Sequence, residues 1–420
     1  MLKNYTNNIQ FAKNLDKKDP LREFKNLFHI PKDLNGNDLI YFCGNSLGLQ
    51  PKSTKNYIDT EINEWANLGV KGWGKAKNNW LNYHNYLTNQ MADIVGAKPI
   101  EVVVMNTLTV NLHLMMISFY RPTEKKYKII LESDAFPSDI YAVESQLKHH
   151  NKNIDDGIIL WETKNRENKY EELKKIFDDN KDEVALVLIG GVNYYTGEFF
   201  NLKEITSIGH ENNAMVGFDC AHGAGNVNLN LHDSGADFAI WCSYKYLNSG
   251  PGNLSGCFIH ERHAYNKEIN KFRGWWGNNL DNRFNMRKPF KQIDGADGWQ
   301  ISTPTILSMA AIKASLEIFD KAGINNLIEK SQKLTGFLEY LLLDLKSIKI
   351  EIITPSNIKS RGCQISIKIN NPSSDFHEKL TNLGVITDWR DPNVVRCAPT
   401  PLYNSFQDVF EFVQKLKTLI

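Results

Sequence analysis

Short apolar runs without polar alternation, spaced by helix-like stretches, constrain this chain more than any other feature. They are Val102-Val-Val-Met105, Tyr127-Lys-Ile-Ile-Leu131, Gly157-Ile-Ile-Leu-Trp161, Ala185-Leu-Val-Leu-Ile189, Ala214-Met-Val-Gly-Phe218 and Asp237-Phe-Ala-Ile-Trp241. Between them lie helical patterns such as Thr109 to Phe119, Ser138 to Leu147 and Tyr170 to Phe177. A strand with one wet face alternates polar and apolar residues, whereas a strand covered on both faces does not. The pattern therefore predicts an α/β fold with a mostly parallel sheet flanked by helices. Sheets of that kind bind ligands beyond the carboxyl ends of their strands. Thr107, Phe136, Asp219 and Ser243 each follow an apolar run, so the topology can bring them to one pocket.

A chain of 420 residues is too long for one ordinary domain. The pattern changes near Thr305, where two long helical stretches (Ile306 to Phe319, Ile324 to Leu345) precede strand-like Lys349 to Ile353 and Cys363 to Ile369 and a last helix from Ser405. We expect an N-terminal segment over 1–35, a large α/β domain over 36–304 and a small α+β domain over 305–420. A net charge of +1 provides no broad electrostatic footprint for nucleic acid or an anionic membrane. The six cysteines, without a C-x-x-C pair, suit buried free thiols in a reducing compartment better than disulfides or a zinc site. The opening Met1-Leu-Lys-Asn-Tyr-Thr lacks a signal-peptide pattern, and no run nears the roughly 20 apolar residues of a membrane span. A cytoplasmic enzyme with no metal and no membrane partner is the expectation.

The chemistry concentrates at Trp241-Cys-Ser-Tyr-Lys-Tyr-Leu-Asn248 and Val216-Gly-Phe-Asp-Cys-Ala-His222. A lysine at the end of a buried strand is costly as a free ammonium, and a Schiff base with an aldehyde cofactor removes that cost. Lys245 for the aldehyde and Asp219 for the pyridinium nitrogen are the two groups that pyridoxal phosphate (PLP) chemistry needs. Asp219 alone reads equally as a helix cap or turn residue, and Lys245 alone as a loop lysine. His222 can stack near the ring, orient Asp219 or be a satisfied core histidine. Tyr244 can donate to a phosphate or supply a proton. Thr107-Leu108-Thr109, between strand and helix, offers free amides to a phosphate or is a plain N-cap. Phe136-Pro-Ser138-Asp139 can lay an aromatic face on the ring or merely start a helix. Arg396 can hold a substrate carboxylate in a bidentate pair or form a structural ion pair.

Taken together, these residues resemble the kynureninase family, from about Tyr41 to the C-terminus. The resemblance is carried by Phe42-Cys-Gly-Asn-Ser-Leu-Gly-Leu-Gln-Pro51, Asn106-Thr-Leu-Thr-Val-Asn-Leu-His113 and Ala135-Phe-Pro-Ser-Asp139. Asn193-Tyr-Tyr-Thr-Gly197, Gly274-Trp-Trp-Gly277, Ile301-Ser-Thr-Pro304 and Pro401-Leu-Tyr-Asn-Ser-Phe406 add to it. It implies the aspartate aminotransferase-like fold type I, with PLP as cofactor and L-kynurenine cleaved hydrolytically to anthranilate and L-alanine. It further implies that Lys245 bonds the cofactor aldehyde, Asp219 pairs with the ring nitrogen, and Leu108, Thr109 and Tyr244 hold the phosphate. Phe136 then stacks on the ring, Ser138, Asp139 and His222 complete the shell, and Trp275 and Thr303 reach the site across a homodimer interface. Arg396 and Ser46 match substrate-side positions. Trp73 and Thr303 look like the bacterial-type pair, which implies L-kynurenine over 3-hydroxykynurenine. Two places depart from the family pattern: Gly190, where related enzymes can carry a serine, and the stretch Asp281 to Gly298.

Two other readings stay open at the level of sequence. A cysteine desulfurase of the same fold needs a nucleophilic thiolate on a mobile loop, for which Cys397 is the one candidate. A non-catalytic PLP-binding protein keeps the fold without turnover, against which the intact set Lys245, Asp219 and Arg396 argues.

Overall fold

The computed structural model describes residues 5–163, 167–286 and 289–420. Residues 1–4 of the opening segment and residues 287 and 288 of the divergent stretch lie outside the described residues. The central sheet contains β1 (Val102–Met105), β2 (Lys128–Glu132), β3 (Ile158–Trp161), β4 (Val184–Gly190), β5 (Met215–Asp219), β6 (Phe238–Cys242) and β7 (Ser255–Ile259). Its order is β1-β7-β6-β5-β4-β2-β3, parallel from β6 to β3 and antiparallel at β7. Parallel strands buried on both faces explain the unbroken apolar runs. On β4, Val187 and Ile189 join one apolar layer while Leu186 and Leu188 join the other, as side chains of a strand alternate.

Strand β7 is the one the apolar pattern does not announce. Its residues Ser255-Gly256-Cys257 sit at the end of a glycine-rich stretch that reads as a turn. Gly256 lies opposite Trp241 in the β6 register, and the Trp241 indole occupies the space a β-carbon would need there. The strand is polar-looking because its neighbour's tryptophan fills its face.

A second sheet joins β8 (Ile350–Ile352), β9 (Ile365–Ile369), β10 (Asp388–Arg390) and β11 (Val394–Cys397) in the antiparallel order β10-β11-β9-β8. Its core takes Phe337, Leu338 and Leu341 from the helix Ile324–Asp344 and Phe412, Val413 and Leu416 from the helix Phe406–Lys417. Ser405 caps the latter in a capping box with Asp408, and Asp16 accepts from the Phe406 and Gln407 amides.

Packing does not change at 304/305, where the sequence pattern does. The helix Ile306–Ala322 packs on the helices Thr54–Leu68 and Asn85–Val95, and its Met309, Ile312, Leu316 and Phe319 belong to the core of the large sheet. Conversely, Ala12, Ile40 and Phe42 bury their side chains in the core of the small sheet. Ile40–Tyr41 pairs in parallel with Val385–Ile386. An amphipathic helix seats its apolar stripe on whichever layer completes it, and chain order does not decide that. Among the described residues no helix is long and apolar enough to cross a membrane.

Candidate active site

The carboxyl ends of β2, β4, β5 and β6 open into one cavity of about 170 Å³. Leu108, Thr109, Phe136, Ser138, Asp139, Asp219, His222, Tyr244 and Lys245 line it, joined by Glu132, Gly190, Val192, Tyr194 and Ala221. A cavity of about 670 Å³ lies elsewhere, between Lys169, Asn230 and Ser360; its buried charges, Lys169 and Glu198, neutralise each other.

Lys245 follows β6 on a loop tightened by Asn248, whose φ of 55° is left-handed. The Gly48 amide donates to the Tyr244 carbonyl at 2.8 Å, and Gly48 packs so closely on the Lys245 carbonyl that a β-carbon has no room. Lys245 Nζ lies 3.0 Å from His222 Nε2 and 5.9 Å from the centroid of the Phe136 ring. His222 is buried, and burial, then the nearby Lys245, Arg396 and Arg390 cations, hold its pKa well below the usual imidazole range. It is therefore neutral and accepts from the lysine. It does not orient Asp219, whose Oδ1 accepts from the Ala221 amide at 2.7 Å.

Three carboxyls share the floor. Asp139 and Asp219 hydrogen-bond to each other, and burial pushes both up, Asp139 further because Asp219 and Glu132 repel its charge. Two buried acids in contact cannot both ionise, so the pair retains a proton in the protein alone. Glu132 accepts from the Gly190 amide at 3.0 and 3.1 Å, and burial raises it to about 7. Gly190 leaves space for it, since a β-carbon there would lie 2.7 Å from Glu132 Oε1. Sequence reasoning missed Glu132, although it ends an apolar run as Asp219 does. It also missed Tyr194, whose ring meets Phe136 edge-on at 5.2 Å.

Glu132 has a consequence for stability. An acid whose folded pKa lies above its unfolded value binds more protons in the native state between the two values, so stability falls as pH rises through that window. For Glu132 the window runs from 4.5 to about 7. Glu132→Gln should remove about 3 kcal/mol of the stability that the cofactor-free protein loses across it. Urea denaturation at pH 5 and pH 8 reads this; an unchanged difference between the two pH values rejects it.

The helix Leu108–Phe119 begins beside the same cavity. Its N-cap Thr107 makes no side-chain capping bond, so it is not the plain cap, and the first-turn amides stay free for an anion. Thr109 Oγ1 and Ser138 Oγ stand 3.0 Å apart at that helix start. Tyr244 is raised to about 12, mainly by burial with a part from Cys242, and so keeps its proton as a donor.

Ser46 and Arg396 do not line this cavity; Arg396 touches it through Tyr194, which does. The segment through Ser46 runs between the Lys245 loop and β11, with Cys43 bridging to Ala398. Arg396 is 1% exposed; its Nε and Nη2 reach Asp388 at 3.3 and 2.6 Å, and its Nη1 donates to the Tyr194 carbonyl at 2.6 Å. Trp73, Trp275 and Thr303 are not in the cavity. Trp73 meets Trp80 and Trp276, Trp275 meets Trp276 and Phe284, and Thr303 precedes Ile306, which shares a cleft with Trp73. Cys397 is fully buried in β11, where burial raises its thiol far above the thiolate range, so it is no mobile nucleophile.

A pyridoxal phosphate fits these atoms. Bound there, the phosphate would meet an uncapped helix start, the ring nitrogen a strand-end carboxyl, and the aldehyde a lysine amine. His222 Nδ1 is buried without a protein partner among the described residues.

The architecture is that of the fold type I PLP enzymes. It matches the cysteine desulfurase of Thermococcus onnurineus NA1 with a TM-score of 0.74 at 19% identity, over 93% of this chain and 98% of that one. It matches the cysteine desulfurase CsdA of Escherichia coli at 0.75 and 14% identity, over 95% and 99%. At such identities the likeness speaks for fold alone. The family model "Kynureninase C-terminal domain" matches residues 327–416. The kynureninase of Flavobacterium psychrophilum is 51% identical over 98% of each chain, and that of Myxococcus xanthus 49% over 97% of this chain and 96% of its own. The human kynureninase is 44% identical over 100% of this chain and 94% of its own. The chain belongs to the kynureninase family and is an enzyme.

Proposed function

We propose that this enzyme uses pyridoxal phosphate to cleave L-kynurenine hydrolytically to anthranilate and L-alanine. The observation that carries the reading is the convergence of Lys245, His222, Asp219 and the free helix start at Leu108 on one cavity, in a chain so close to kynureninases. Bound there, the cofactor would supply an electron sink for charge developing on the substrate's carbon atoms.

The chain's own residues divide the remaining work. Asp219 keeps the ring nitrogen protonated, and Asp139, sharing its proton, tunes that charge. Lys245 Nζ takes the proton from the substrate Cα, and neutral His222 steadies the lysine at 3.0 Å. Tyr244, held in its protonated form, donates in the later steps. Arg396 binds the α-carboxylate. Asp388 and Tyr194 use three of its five N–H groups, leaving one on each terminal nitrogen.

Trp73, Trp275 and Thr303 support a homodimer with shared sites. They lie outside their own chain's cavity, on a face where Trp65, Val70, Trp275 and Leu307 are exposed. A partner's cavity placed against this face would receive them. The enzyme works in the cytoplasm on a small molecule and needs neither nucleic acid nor membrane.

Mixing the protein, PLP and kynurenine should produce anthranilate fluorescence; its absence at any protein concentration defeats the reading. Sulfide release from cysteine in place of it would favour the desulfurase chemistry. Trp73 offers the aniline ring a flat face and no acceptor for an added hydroxyl. We expect kcat/KM for kynurenine to exceed that for 3-hydroxykynurenine about 10-fold, the value of one unpaired polar group. Equal or reversed efficiencies would remove Trp73 from this role.

A further inference from the structure

We infer that Arg390 is a second cation of the substrate-carboxylate clamp, held in register with Arg396 by Asp388. This deepens the reading of Arg396 given above and rests on it. The three residues are neighbours by register. On the β10–β11 ladder Asp388 stands opposite Arg396, and Arg390 opposite Val394. The Asp388 carboxylate takes both guanidinium groups, Arg396 Nη2 at 2.6 Å and Arg390 Nε at 3.1 Å.

Two guanidinium groups on one carboxylate leave a local charge of +1, beside a cavity where the substrate must place an anion. Both guanidinium carbons lie near the ring of Tyr194, at 5.9 Å for Arg396 and 6.0 Å for Arg390, and Tyr194 lines the Lys245 cavity. Both cations also act on His222, which touches Lys245. The two differ in freedom. Arg396 is 1% exposed with three N–H groups committed. The Arg390 side chain is 37% exposed and, among the described residues, hydrogen-bonds only to Asp388. A buried, committed arginine fixes direction, and a half-exposed one can close on the incoming carboxylate. Asp388 acts as a positioning residue for both.

The test is steady-state kinetics of Arg390→Gln, Arg390→Lys and Arg396→Gln on the cofactor-loaded enzyme, with L-alanine as a competing carboxylate. Arg390→Gln should raise KM for kynurenine and Ki for alanine about fivefold, the effect of a partly screened charge. Its kcat and cofactor absorbance should stay as in the parent, because binding is lost equally in ground and transition states. Arg390→Lys should recover most of the affinity. Unchanged KM and Ki in Arg390→Gln, with both raised in Arg396→Gln, overturn the role of Arg390 alone. If neither variant moves them, the reading of Arg396 itself fails. A loss of kcat with altered cofactor absorbance in Arg390→Gln marks a structural role and also overturns the proposal.

Discussion

Replacing Lys245 by alanine should lower the turnover of kynurenine by about 10⁴-fold or more, the upper range for losing a positioned acid–base group. The expectation rests on where the nitrogen is. Lys245 Nζ sits over the cavity between His222 and the Phe136 face, and it is the only lysine lining that cavity among the described residues. No neighbouring amine can take its place. A second readout separates chemistry from folding: borohydride should fix the cofactor covalently to the parent protein and not to Lys245→Ala. If the variant still turns over, or is still labelled, the site is elsewhere. A folded variant is the expected product, since the alanine gives up one hydrogen bond and leaves His222 neutral in a polar cavity.

Asp219→Asn should lower kcat about 10²- to 10³-fold, the usual loss when a preorganised charge is removed from a transition state. The amide oxygen can still accept from the Ala221 amide, so the local turn is kept, while the charge proposed to hold the ring nitrogen protonated is gone. The same change should have the opposite sign for the cofactor-free protein. Asp219 crowds Asp139 and Glu132, and burial already disfavours its charge. Removing it relieves that repulsion, so at pH 8 the cofactor-free variant should be more stable than the parent. Loss of activity together with gain of apoprotein stability is the signature of a residue kept for function. Loss of both would instead make Asp219 a structural residue.

The same carboxyls show how far the sequence could be read. Asp219 and Lys245 were legible because the first ends and the second closely follows an unbroken apolar run, and the rule that ligands bind beyond strand ends needs only that. Glu132 obeys the same rule at the end of β2 and was passed over because it lies in Glu132-Ser-Asp134, which looks like a polar turn. Tyr194 carried no strand signal, and only packing sets it between Phe136 and the two arginines. His222 was legible as a site residue but not in its role. Its choice of Lys245 over Asp219 depends on side-chain directions that spacing does not contain.

Chain order misled in two further places. The helix Ile306–Ala322 follows the break in pattern yet completes the core of the large sheet, and β7 enters that sheet from a glycine-rich stretch that reads as a turn. Arg396 could be read as a clamp or as an ion pair. The structure gives it an ion pair with Asp388 and two uncommitted N–H groups, which is compatible with both.

The sequence alone determined the parallel sheet, its helical cover and the strand-end placement of Lys245 and Asp219, because periodicity and burial are properties of neighbours along the chain. Only the tertiary structure decided which of those ends meet. It set Glu132 against Asp139 and Asp219, put Asp388 between two arginines, and left Trp73, Trp275 and Thr303 outside the lining of their own chain's cavity. Contacts between residues tens to hundreds of positions apart depend on how whole layers pack, and no local pattern encodes that geometry.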